Sequence, residues 1–235
     1  MRGGNRAGQM RVLIACVLIA AGACPTSASA QKANESCKPV YLTFDTGHMG
    51  VAPLVADVLK QRGVRATFFA AQEATKEGDG TLGKHWAPWW KARAAEGHEF
   101  ASHTWDHAYW QADLPPAQPG GEARFRIRPS SGAQSGKTLS WTAAQYCASL
   151  QLAADRLVSI TQRKVLPLFR AAGGKTSPKL LAAAEGCGFK HVGWAPAGFL
   201  GDELPSGQYP NDALLKKALQ DIRPGDILMA HLGIW

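Results

Sequence analysis

The segment His98-Glu99-Phe100-Ala101-Ser102-His103-Thr104-Trp105-Asp106-His107 decides how the chain is read. Gly97 breaks the chain before it, and His98–Ala101 reads as a short buried strand. Two histidines four residues apart follow. Their spacing predicts one face of a helical turn, because side chains at i and i+4 stack. Two imidazoles so placed can share one divalent transition ion. A spaced pair alone decides little, since such histidines are more often ordinary surface or helix residues. The position adds weight: α/β sheets place their sites where a strand hands over to a loop or helix.

Outward from this segment one rhythm repeats. Val40–Phe44 predicts a first strand, with Asp45 at its carboxyl end and Thr46-Gly47-His48 beyond. Val51, Leu54, Val55, Val58 and Leu59 recur at helical spacing, and Gly63 closes that helix. Ala66–Ala70 predicts a second strand. Gly78, Asp79, Gly80 and Gly83 form a loop leading into a short helix that starts near Trp86-Ala87-Pro88-Trp89-Trp90 and ends at Gly97. The third strand then runs into His103. Residues 111–140, with Pro115, Pro116, Pro119, Gly120, Gly121, Gly132 and Gly136, predict a long loop with a hairpin at Arg124–Ile127. A helix resumes from Ser140, with Tyr146, Leu150, Ala153, Leu157 and Ile160 on one face. Pro167–Arg170 predicts a fourth strand, and Ser177-Pro178 an N-cap and first-turn pair for a helix ended by Gly186 or Gly188. A fifth strand is expected at Lys190–Trp194, a helix capped by Asn211, and a sixth strand at Ile227–His231. The pattern is that of an α/β chain of parallel βα units. A barrel would continue past the sixth strand, so the fold is expected to be truncated at its C-terminal end, with an apolar face exposed on the last strand.

The first residues carry Arg2, Arg6 and Arg11, then an apolar run from Val12 to Ala23, then Ala28-Ser29-Ala30. This predicts a signal peptide over 1–30, a short linker over 31–37 and a single domain over 38–235. A lipoprotein reading through Cys24 ranks lower, because Ala21 stands where a larger aliphatic belongs. The apolar run is short for a membrane span, so the mature chain is expected to have none and to be secreted or periplasmic. The formal charge of +8 falls to +5 without those three arginines. With no Lys/Arg run, nothing points to nucleic acid; the charge suits an anionic envelope or an acidic glycan. Cys37, Cys147 and Cys187 remain, enough for one disulfide whose pairing the spacing leaves open.

Asp45, the pair His103 and His107, Arg170 and His231 all fall at or just past the carboxyl end of a predicted strand. In a parallel barrel those ends converge on one face. Singly, Asp45 reads as a turn former, Arg170 as an ion-pair partner and His231 as a core histidine. Together, in order, they read as a site.

At these residues the sequence resembles the polysaccharide deacetylases, the nodulation-protein-B homology domain of carbohydrate esterase family 4. Thr43-Phe44-Asp45-Thr46-Gly47 is similar to that family's Thr-Phe-Asp-Asp-Gly motif, and Ser102–His107 to its His-Ser/Thr-x-x-His motif. Arg170-Ala171-Ala172-Gly173-Gly174 stands where Arg-x-Pro-Tyr/Phe-Gly would be, and Met229-Ala230-His231 fits the final Leu-x-His. The resemblance implies a distorted (β/α) barrel of about six to seven strands, a divalent metal (usually zinc), and hydrolysis of N-acyl groups on amino sugars. It implies His103, His107 and Asp45 as metal ligands, with Asp45 as base, His231 as acid and Arg170 as the group that keeps the base ionised. Gly173, through its backbone N–H, and Trp105, through its ring, are the substrate-binding candidates.

The departures bear on the same residues. Thr46 replaces an aspartate that the family uses as a ligand. Ala172 and Gly173 replace a proline and an aromatic, and no carboxylate is evident near Trp194-Ala195-Pro196-Ala197. Asp45 is then left with two jobs, base or third ligand, unless His48, Asp106 or a residue of 111–140 fills the gap. The Asp-Thr pair, and Trp105-Asp106-His107 with Trp110-Gln111, resemble the lipid-linked aminoarabinose deformylases, which implies formyl as well as acetyl groups and a lipid-linked sugar among the substrates. Set against the enzyme is a carbohydrate-binding protein with a decayed site, using Trp86, Trp89, Trp90, Trp105 and Trp110 to stack on sugar.

Overall fold

The computed structural model describes residues 39–234. The signal peptide and linker expected over 1–37, with Cys24 and Cys37, lie outside the described residues. Six parallel strands form the main sheet: β1 (Tyr41–Asp45), β2 (Thr67–Ala70), β3 (Glu99–Ser102), β7 (Leu168–Phe169), β8 (Lys190–His191) and β9 (Ile227–His231). Their order is β8-β7-β3-β2-β1-β9, curled into a half-barrel. All five pairings are parallel, as crossover helices require. Those helices are α1 (Ala52–Arg62), α2 (Ala87–Ala95), α3 (Ala143–Thr161), α4 (Pro178–Gly186) and α5 (Asn211–Asp221).

The local signals act as their chemistry predicts. Gly63 ends α1 in the left-handed conformation that favours glycine, and its N–H bonds back to Lys60 O. Ser177 caps α4 by accepting from Leu180 N. Thr142 and Gln145 form a reciprocal capping box on α3. For α5 the cap falls on Pro210, so Asn211 is its first helical residue instead.

One sequence expectation is refined and another gives way. Most of residues 111–140 is loop, as expected, but the stretch is not loop throughout. It contributes to a three-stranded antiparallel sheet of β4 (Ala108–Leu114), β5 (Arg124–Pro129) and β6 (Leu139–Thr142). The apolar face of the last strand is also covered: Leu228 and Met229 are buried. Its outer edge is bonded by the stretch 195–200, with Ala195 N donating to Ile227 O and Leu200 N to Met229 O.

The core has two parts. Phe44, Phe68 and Phe100 of β1–β3 pack with Trp90 of α2 and Leu157 of α3. Phe125, Tyr146, Leu150 and Phe169 pack under the antiparallel sheet with Leu180 of α4. A Cys147–Cys187 disulfide ties α3 to the end of α4.

Candidate active site

The carboxyl ends of β1, β3 and β9 open into one cavity of about 510 Å³, and its lining includes Asp45, Thr46, Glu73, His103, His107 and His231. The expected convergence is therefore present. In-register pairing sets Asp45 beside His231 across β1 and β9. Gly47 allows the turn after β1: a Cβ there would lie 1.7 Å from Gly233 O, a collision that no side chain survives.

The histidine pair does not sit on a helical turn. His103 directly follows β3, and His107 is reached through a tight loop in which Thr104 and His107 themselves have positive φ. That loop brings the two rings to 4.7 Å between centroids. His103 Nδ1 lies 2.8 Å from Arg170 O, so it carries the proton and donates; Nε2 is left with its lone pair. That lone pair faces Asp45 Oδ2 at 3.6 Å. Burial, with the neighbouring His107 and Arg170, holds His103 well below the usual imidazole range and therefore neutral. His107 is pushed down to about 4, chiefly by burial. Its Nδ1 is 2.6 Å from Ser130 Oγ and 3.7 Å from Glu73 Oε1.

Asp45 is nearly fully buried, and Arg170 Nη1 donates to its Oδ1 at 2.6 Å. Arg170 is itself fixed from behind: it donates to Val192 O and Gly193 O, and its guanidinium lies 4.2 Å from the Phe69 ring centroid. Burial still outweighs the guanidinium and pushes the Asp45 carboxyl upward. Glu73 is likewise raised, to about 7, by burial.

His231 is supported by a carboxylate that the sequence reading did not find. Asp202 Oδ2 accepts from the His231 backbone N–H at 2.7 Å and lies 3.0 Å from its Nδ1. Glu203 Oε1 lies 3.3 Å from Nε2. Burial opposes charge on this ring, but Asp202, Asp45 and Glu203 outweigh it and raise the imidazole pKa.

The remaining candidates separate. Gly173 lines the cavity at φ 62°, and a Cβ there would meet the Tyr109 ring at 2.8 Å. Trp105 does not line it; the residue packs against the first core cluster, and its N–H donates to Ser149 Oγ. His48 and Asp106 are also outside the lining, while Ser130 from the 111–140 stretch is within it. Trp194 lines the cavity too. Glu73 was missed: it lies in the loop three residues past the end of β2, whereas Asp45 is the last residue of β1.

A divalent ion fits this donor set in chemistry. A neutral imidazole lone pair facing a carboxylate oxygen needs a proton or a cation between them, and Glu73 Oε2 is buried without a hydrogen-bond partner. The fit is one of donor chemistry alone: among the described residues, no three His, Cys, Asp or Glu side chains are placed so that they could hold an ion together.

A sequence model described as polysaccharide deacetylase matches residues 32–192. The chain belongs to the polysaccharide deacetylase family. The family's deacetylases are hydrolases acting on carbon–nitrogen bonds. It is 25% identical over 207 residues to a chitooligosaccharide deacetylase of Azorhizobium caulinodans, covering 87% of this chain and 78% of that one. It is 38% identical over 71 residues to a peptidoglycan-N-acetylglucosamine deacetylase of Listeria monocytogenes, covering 30% and 14% respectively. In fold it resembles the family 4 carbohydrate esterase PdaA of Bacillus subtilis, with a TM-score of 0.59 at 22% identity over 83% of this chain and 68% of that one. A family pseudoenzyme from Bacillus anthracis superposes with a TM-score of 0.58 at 18% identity, and there the match spans 83% of this chain and 55% of the other.

Proposed function

We propose that this family member is a metal-dependent N-deacylase of an amino-sugar glycan, working outside the cytoplasm. The observation that carries the reading is the single cavity in which a buried Asp45–Arg170 pair and two neutral imidazoles face a carboxylate-supported His231. His103, His107 and a carboxylate would hold the ion, with zinc suited to such nitrogen and oxygen donors. When bound, the ion supplies Lewis acidity toward the amide carbonyl and acidifies water. Asp45 accepts the proton of the attacking water, and Arg170 orients it by holding Oδ1. His231 gives a proton to the departing nitrogen, and Asp202 holds that ring charged and aimed. Gly173 keeps the mouth open where a side chain would strike Tyr109.

Two features support the substrate and the location. A neighbouring cleft shares Tyr109 and Ser130 with the site and carries Arg126, Arg128 and Lys175, which suits a glycan bearing carboxylate or phosphate groups, lipid-linked or polymeric. The disulfide suits an oxidising compartment, as the signal peptide expected over 1–30 requires. Among the described residues no helix is long and apolar enough to cross a membrane.

The test is release of acetate or formate from N-acylated glucosamine oligomers, measured beside the metal content of the purified chain. His103→Ala and His107→Ala are each expected to abolish both metal uptake and release. Thr46, in place of a carboxylate, favours a second reading, a decayed carbohydrate binder. Its signature is glycan binding with substoichiometric metal and no release. That reading has fewer aromatics to call on than the sequence suggested, because Trp86 and Trp90 are core residues.

A further inference from the structure

We infer that Glu73 supplies the carboxylate ligand that position 46 lacks, with the Thr46 hydroxyl as its positioning group. The inference rests on the metal-dependent reading above and adds a donor to it. β1 and β2 are adjacent and parallel, with Asp45 paired to Phe69, so position 46 lies beside the first residues beyond β2. The contact is direct: Ala71 N donates to Thr46 Oγ1 at 3.0 Å. Glu73 follows two residues later, and both Thr46 and Glu73 line the cavity. A hydroxyl that accepts from Ala71 still has its own proton to offer to a carboxylate at position 73. A carboxylate at position 46 would accept from Ala71 equally well but would set like charge against Glu73. Threonine at 46 and glutamate at 73 are thus one consistent arrangement, with the carboxylate moved from one strand end to the next.

The side chain is built in rather than adrift on a loop. Glu73 N donates to Thr81 Oγ1, and Thr81 N donates to Glu73 O. Oε1 lies 3.7 Å from His107 Nδ1, and Oε2 is buried with no hydrogen-bond partner. A buried acceptor left in that state is costly unless something satisfies it. A ligating Glu73 also settles the double duty of Asp45. The carboxylate bonded to Arg170 is free to act as base, and ligation falls to His103, His107 and Glu73.

The experiment titrates the chelator-stripped full chain with Zn²⁺ against a chromophoric competitor. Wild type is expected to take up one ion and His103→Ala none. Glu73→Gln, nearly isosteric, is expected to weaken Zn²⁺ binding by about tenfold or more. Thr46→Asp combined with Glu73→Gln is expected to recover binding to within about threefold of wild type, since it returns the carboxylate to the neighbouring strand end. Thermal unfolding of each variant reports whether it is folded. Wild-type affinity in Glu73→Gln, with binding lost in His103→Ala, overturns the assignment and leaves the metal reading standing. A folded double variant that fails to recover binding overturns it too, and covers the case in which Glu73→Gln alone does not fold. No uptake by wild type overturns both.

Discussion

His231 can act as an acid only while it holds its proton, and Asp202 is what favours that state. The hydrogen bond and charge of Asp202 raise the imidazole pKa against the opposing effect of burial. Asp202→Asn is therefore expected to move the basic limb of the pH profile of kcat/KM toward lower pH, leaving the acidic limb in place. His98 titrates in the other direction. Its Nδ1 accepts from Ala66 N at 3.0 Å, so the ring is neutral and Nε2–H points to Glu96; burial lowers its pKa. The unfolded imidazole, near 6.5, takes a proton first. The contribution of His98 to stability is thus intact above that value and lost as pH falls from it through the lower folded pKa. The urea midpoint of chelator-treated protein is expected to drop between pH 7.5 and 5.5, and His98→Gln to flatten that slope. At this scale the sequence pointed to the residues that fit a motif, Asp45, His103, His107, Arg170 and His231, and these lie together. Glu73 and Asp202 sit in loops with no motif of their own, and only tertiary contact gives them meaning.

Elements were legible where one signal sufficed. β9 matches its expected bounds, β2, β7 and β8 fall within their predicted segments and are shorter, and β1 and β3 are shifted by one residue, because alternation and apolar runs are local properties. The β3–β4 loop was misread as a helical turn because i, i+4 spacing is shared by a helix and by a loop that folds back through positive φ at Thr104 and His107. Arg124–Ile127 is part of one strand and not a hairpin of its own: Phe125 and Ile127 are buried while Arg126 and Arg128 are exposed, and β5 is the middle strand of the antiparallel sheet. Its partners β4 and β6 were hidden among prolines and glycines, which mark turns without saying what they join. The Cys147–Cys187 pairing was beyond reach, since it depends on α3 meeting the end of α4. That link spans 40 residues, and the loop-entropy model gives about 4 kcal/mol for its removal. Cys147→Ala with Cys187→Ala is expected to lower the unfolding free energy by about that much, read from the urea midpoint at unchanged slope.

Over the whole molecule the half-barrel stands on Phe68. Its ring centroid lies 5.7 Å from that of Phe44, 5.9 Å from Trp90 and 6.2 Å from Phe100, so one side chain ties three strands to α2. Phe68→Ala is expected to cost about 3–5 kcal/mol by chemical denaturation, as large-to-small changes at fully packed aromatic sites do. The parallel architecture was predictable because strand and helix periods alternate throughout the chain. The pairing of β1 with β9 follows from closure of the sheet, which no local window records.

That pairing has a temporal side. Tyr41–Asp45 and Ile227–His231 stand near opposite ends of the described chain, and they meet in register residue by residue. During synthesis the base, its arginine and both imidazoles emerge well before the proton donor does. A chain whose last strand has not docked lacks both the proposed proton donor and the wall of the cavity that Met229 and His231 supply, so the proposed activity waits on the zipping of the final strand.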